Sequence, residues 1–237
     1  MRSAKAIFIK QTRDIMKNPQ ISIQFILMPV MTLVLTMIAA WPNDEIPNNM
    51  FVAMFSALFA GMGPLTAAAA AIAEDREHKS LRFLVMAGVR PHEYLLGLGG
   101  FILMFSSFSS IFLGLIGDFT VKETIIFIAI LIFGSATSTL LGATVGIFSK
   151  NQQAATSLSV PVSMLLALTP MLGMFNEMIA KVSGILYTQQ ITTIVQDISE
   201  ANFSASTAVK PLLIILANFV VFLVLFALAY KKKGLKG

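Results

Sequence analysis

The chain has 237 residues, 56% of them hydrophobic and 12% charged, with no cysteine and a net charge of +5. Soluble domains carry about 25% charged residues, so this composition and a mean hydropathy of +0.80 exclude a soluble globular protein and mark a polytopic membrane protein. Disulfides and thiolate metal sites go with the missing cysteines, and the basic charge reads as loops at a cytoplasmic membrane surface rather than as a nucleic-acid patch.

Residues 2–17 come first. On a helical wheel Ala4, Ile7, Phe8, Gln11 and Ile15 share one side, and Arg2, Lys5, Lys10, Arg13 and Lys17 the other. This predicts a basic amphipathic helix of the kind that lies among lipid headgroups; a solvated tail that only orients the first span is the alternative. Asn18-Pro19 ends it, because proline lacks the amide and disfavours helix before it. Six apolar segments follow, at about 21–41, 51–73, 95–116, 124–148, 157–175 and 211–230. Each approaches the ~20 residues that cross a bilayer as a helix. The expected fold is therefore an all-α membrane protein, a single six-span domain over 1–237. The first apolar run exceeds the roughly 7–15 residues of a signal-peptide core and reads as a retained anchor.

Orientation follows from lysine and arginine. With both termini inside, fourteen of the seventeen basic residues fall on inner segments, and only Lys122, Lys181 and Lys210 fall outside. The last outer segment, 176–210, carries Ile179, Val182, Ile185 and Leu186 at helical spacing beside Tyr187. It predicts one or two short helices dipping into the outer interface, against a plain loop. Within the fourth span Gly134, Ser138, Gly142 and Gly146 recur every fourth residue, a spacing that lets helix backbones approach closely. Internal packing is the first reading of that stripe and a dimer face the second. Prolines 29, 64, 161 and 170 break or bend three spans.

Several chemistries are missing. No span carries Asp, Glu, Lys, Arg or His in its interior, which argues against a proton relay and against hydrolysis at membrane depth. No Gly-x-x-x-x-Gly-Lys-Ser/Thr phosphate loop is present. A transporter built this way needs energy from a partner, and the segment 74–97, densest in charge and holding both histidines, is where a partner would act. Read as a helix over 75–87, it places Leu81, Leu84 and Val85 on one face to anchor on the bundle. Asp75, Arg76, Lys79 and Arg82 lie opposite, with Phe83 and Met86 among them. Apolar anchors with a charged rim are what a protein interface favours; a short helix that merely joins two spans is the alternative.

This segment resembles the permease subunits of type-2 ATP-binding-cassette exporters. There the second span ends in a charged cluster, here Glu74-Asp75-Arg76-Glu77, followed by a short coupling helix around Leu81-Arg82-Phe83-Leu84 and a turn leading to the third span, here Gly88-Val89-Arg90-Pro91-His92-Glu93-Tyr94-Leu95-Leu96-Gly97. Where the family often has Gly-Thr and, later, Lys, this chain has Lys79-Ser80 and Leu98. The layout agrees as well: a basic amphipathic start, six spans and a longer outer segment before the last. The resemblance implies a transport subunit without catalytic residues or metal. It would dimerise with an identical or paralogous permease and dock a separate cytoplasmic ATPase that holds ATP and magnesium. Glu74, Asp75, Arg76, Glu77, Lys79, Arg82, Phe83 and Met86 would form the coupling surface. By the same analogy an amphipathic peptide, drug or lipid-like molecule would leave across a plasma membrane, bacterial by the lack of a targeting peptide. A stand-alone carrier or channel, or a bacteriocin-immunity component, is the alternative.

Overall fold

The computed structural model describes residues 2–15, 19–43, 46–47, 49–80, 86, 88–89, 91–173, 175–200 and 202–233. Among the described residues nine α-helices follow in chain order: α1 (Arg2–Ile15), α2 (Pro19–Leu35, closing in a π-helical turn Thr36–Ala40), α3 (Met50–Glu77), α4 (Pro91–Ile116), α5 (Val121–Phe148), α6 (Gln152–Gly173), α7 (Glu177–Ser183), α8 (Tyr187–Ser199) and α9 (Ala205–Lys233). Among the described residues there is no strand. Six of the helices, α2 to α6 and α9, are long and apolar enough to cross a membrane, and they fall on the six expected segments. Pro19 and Pro91 stand at the first positions of α2 and α4, where the missing amide would have had no helical partner. A reciprocal Thr120–Glu123 capping box starts α5.

Helix α3 is the axis of the bundle. Its Val52, Phe59, Ala60, Leu65 and Ala67 to Ala70 have no exposed surface, and α2, α4, α5, α6 and α8 all pack against it. Small side chains make this crowding possible, because helices in a membrane associate through close packing rather than through a hydrophobic driving force. The glycine stripe of α5 meets this axis. A Cβ on Gly142 would overlap the Leu65 carbonyl oxygen, and one on Gly146 would lie 2.8 Å from Ile72 Cβ and 2.9 Å from the Ala69 carbonyl. The stripe therefore lies against α3 inside the protomer, as internal packing.

The prolines break the hydrogen-bond ladders of their helices, and three of the freed carbonyls find a partner on another helix. Pro29 cannot donate to the Phe25 carbonyl, which accepts instead from Ser109 Oγ of α4 at 2.8 Å. Pro64 frees the Ala60 carbonyl, which accepts from Ser138 Oγ of α5. Pro170 frees the Leu166 carbonyl, and Thr188 Oγ1 of α8 donates to it at 2.6 Å. Hydrocarbon offers no water to a freed carbonyl, so a neighbouring hydroxyl is what makes a broken helix tolerable there.

The α7–α8 pair enters the bundle from the end opposite α1. Asn176 caps α7 by accepting from the Met178 and Ile179 amides at 2.9 and 3.2 Å. At the far end Asn49 Nδ2 reaches the Ser199 carbonyl, 3.4 Å away. Tyr187, at the other end of α8, meets Ser138 at 2.5 Å, level with Ala60. Eleven residues of α3 separate these levels, a depth of about 16 Å, half of a ~30 Å hydrocarbon core. Buried Tyr187, Ile191, Ile194, Val195 and Ile198 form the face of α8 that holds it there. Two short helices form in this segment as expected, and α7 leaves Val182 and the adjoining Ile185 exposed. Helix α8 goes deeper and belongs to the core.

Candidate functional site

The charged tetrapeptide Glu74–Glu77 forms the last turn of α3, at the end of the bundle that also holds α1. Four consecutive helical residues point in four directions, about 100° apart, and here each described direction meets a different element. The turn is a junction rather than one exposed face.

Asp75 points inward and is 4% exposed. Lys10 of α1 forms an ion pair with its Oδ1, while Gln11 Nε2 and the Tyr94 hydroxyl each donate to Oδ2 at 2.9 Å. Tyr94 lies in the first turn of α4 and is itself 1% exposed. One carboxylate therefore joins α1, α3 and α4. A buried carboxylate is stable only when paired and hydrogen-bonded, and three donors supply that. The same junction is tightened at Gly97 of α4, where a Cβ would stand 2.7 Å from the Ala4 carbonyl and 2.8 Å from Ile7 Cβ. Only glycine lets α1 lie this close. The face of α1 that docks carries Ile7 and Gln11, both buried, with Ala4 and Phe8 half-buried; the helical wheel groups these residues, but they pack on α4 where lipid headgroups were expected.

Arg76 and Glu77 hold the connection between α5 and α6. The Arg76 guanidinium donates to the Ile147 carbonyl and, at 3.0 Å, to the Ser149 carbonyl, at the C-terminus of α5. The Glu77 carboxylate accepts from the Gln152 amide at 3.0 Å, at the N-terminus of α6. Each charge sits where the helix dipole favours its sign, a cation at a C-terminus and an anion at an N-terminus. Residues 75 to 77 thus tie α1, α4, α5 and α6 to α3.

Helix α3 ends directly after this junction. The His78 and Lys79 amides donate to the Glu74 and Arg76 carbonyls at 3.0 Å, and Lys79 takes a left-handed φ of 58°. That conformation terminates a helix and is uncommon outside glycine. A continuous helix over 75–87 is therefore not formed: 75–77 complete α3 and the chain turns at 78–79. This corrects the expected shared outward face, since a left-handed residue redirects the chain and Asp75 is buried under α1. Glu77 and Lys79 are exposed, Glu74 and Arg76 half-buried. Met86 is 66% exposed, and Gly88, at φ 76°, supplies a second left-handed turn before α4. Leu81, Arg82, Phe83, Leu84 and Val85 lie outside the described residues.

The residues that complete the junction, Lys10, Gln11, Tyr94 and Gln152, are not legible from spacing, because they come from remote parts of the chain. Gln11 carried one signal, as a polar residue on the apolar side of α1. Among the described residues no group of three or more His, Asp or Glu is placed to hold a metal ion.

A buried axis, five further spanning helices and a polar junction at one end define a multi-pass helical membrane protein. More can be said from family comparison: the chain belongs to the ABC-2 family transporter proteins, whose family model matches residues 3–228. It is thus the transmembrane subunit of an ATP-binding-cassette transporter. No curated protein matches the chain at a significant level.

Proposed function

We propose that the chain is the membrane subunit of an ATP-driven exporter that moves an amphipathic molecule outward across a bacterial plasma membrane. It works as a dimer with a second permease, identical or paralogous. Each protomer docks one separate ATPase, which holds ATP and magnesium. The observation that carries this reading is the junction at residues 75–77. It ties four helices to the central one immediately before the segment 79–90, so a push delivered there moves the whole bundle rather than one loop. The distribution of basic residues supports placing that end in the cytoplasm, with both termini. Phe83 and exposed Met86 are the apolar contacts with the ATPase, rimmed by Lys79 and Arg82.

The test is copurification of the full chain with candidate ATP-binding-cassette ATPases, repeated with Phe83→Asp and Met86→Asp. Loss of the complex in both variants is expected, because a charge in a desolvated anchor position costs several kcal/mol. Unchanged association and unchanged ATPase stimulation would refute the interface. Substrate movement by the chain alone in liposomes, with no ATPase present, would instead support a stand-alone carrier.

A further inference from the structure

At the end opposite the junction a cleft of about 410 Å³ opens between α3, α6 and α8. That volume is within the range of small-molecule sites. Its α3 and α6 walls are apolar and soft, with Met50, Met54, Leu58 and Met171, joined by Phe175 from the turn after α6. Thioether side chains repack around varied shapes. The third wall is different. Helix α8 buries its apolar face in the bundle and turns Gln189, Thr192 and Gln196 into the cleft. These three follow a spacing of three and four residues, one face of a helix.

Thr192 donates to the Thr188 carbonyl at 3.2 Å. Among the described residues the Gln189 and Gln196 side chains have no hydrogen-bond partner. Two free amides, Gln189 near the deep end of α8 and exposed Gln196 near its outer end, therefore face a cleft whose other walls are apolar. Among the described residues no ionisable side chain lines it, so a charged group entering it would meet no counter-charge from them. Gln189 and Pro170 also line a neighbouring cleft of about 490 Å³ whose wall includes Lys210; the uncharged head is assigned to the α3–α6–α8 cleft alone.

We propose that this cleft binds an amphipathic molecule with an apolar body and an uncharged hydrogen-bonding head. The body lies along the methionines of α3 and α6, and the head meets Gln189 and Gln196. This deepens the transport reading by giving its cargo a class, and it rests on that reading for its physiological meaning alone, since binding needs no ATPase.

The test uses the full chain in phosphatidylcholine nanodiscs without partner. Three photoreactive dodecyl probes carry the same diazirine chain and a maltoside, a trimethylammonium or a sulfate head, and crosslinks are mapped by mass spectrometry. The maltoside probe should concentrate on 50–58 and 167–175 over the lipid-facing α9. The paired change Gln189→Leu and Gln196→Leu, which keeps side-chain size, should lower that labelling about fivefold. Met54→Trp should block it by filling the cleft, with an unchanged melting curve as the folding control. Uniform labelling of all spans, equal labelling by a charged probe, or no response to the paired leucines would each overturn the proposal. Failure to bind an ATPase would leave it standing and would overturn only the transport reading.

Discussion

Asp75 shows how much one side chain can hold at this membrane surface. Its carboxylate is buried and takes donors from Lys10, Gln11 and Tyr94. Lys10→Met removes the cation and leaves the carboxylate behind, so we expect it to destabilise the detergent-solubilised protein by about 3–5 kcal/mol, seen as a lower melting temperature. Adding Asp75→Leu to Lys10→Met should recover most of the loss, because no buried charge then remains unpaired. Gly142 makes the second residue-scale prediction. Gly142→Ala forces a methyl group into the Leu65 carbonyl, whereas a Cβ at Gly99 meets nothing within 4 Å. The first change should cost about 1–3 kcal/mol, and Gly99→Ala should be neutral or slightly stabilising through helix propensity. Melting curves of the two variants compare them directly.

Between helices, the proline breaks and the hydroxyls that answer them behave as pairs. Ser138 Oγ donates to the carbonyl that Pro64 frees and also meets the Tyr187 hydroxyl. Ser138→Ala alone should cost about 1–3 kcal/mol by leaving the carbonyl unsatisfied. In the Pro64→Ala background the same change should cost less, since the restored amide serves Ala60. The coupling, at least about 0.5 kcal/mol, is measurable by a double-mutant cycle, and additive costs would refute the pairing. The helices themselves were legible in the sequence, because spanning length and apolar composition are local properties. The depth of α8 was less so. Its face Tyr187, Ile191, Ile194, Val195 and Ile198 has helical periodicity, but the interleaved Gln189, Thr192 and Gln196 lower its hydropathy to that of an interfacial helix. Only the gap that Gly134 and Gly61 leave beside α3 and α5 admits it, with Ile191 against Gly134 and Thr188 against Gly61.

For the bundle as a whole, the junction at 75–77 makes movement at one end a collective event. Arg76 should matter more to coupling than to assembly, because its guanidinium serves the end of α5 rather than an exposed surface. We expect Arg76→Gln to keep the protein folded and bound to its ATPase while raising hydrogen exchange in 145–155 and reducing ATPase stimulation by substrate. Unchanged exchange there would refute the clamp.

Composition, span length and basic-residue asymmetry determined by themselves that the chain is a six-span membrane protein with a charged segment between its second and third spans, because each of these depends on residues close together in the chain. The charged segment was legible as a place of consequence. Which of its residues face a partner and which face the protein was not. Helical direction changes by about 100° at each residue, and what lies in each direction is supplied by residues up to 75 positions away, such as Lys10 under Asp75 and Gln152 beyond Glu77. Tertiary packing alone decided that this polar segment is first a structural junction, that the glycine stripe faces inward, and that α8 enters the bundle and leaves a cleft beside it.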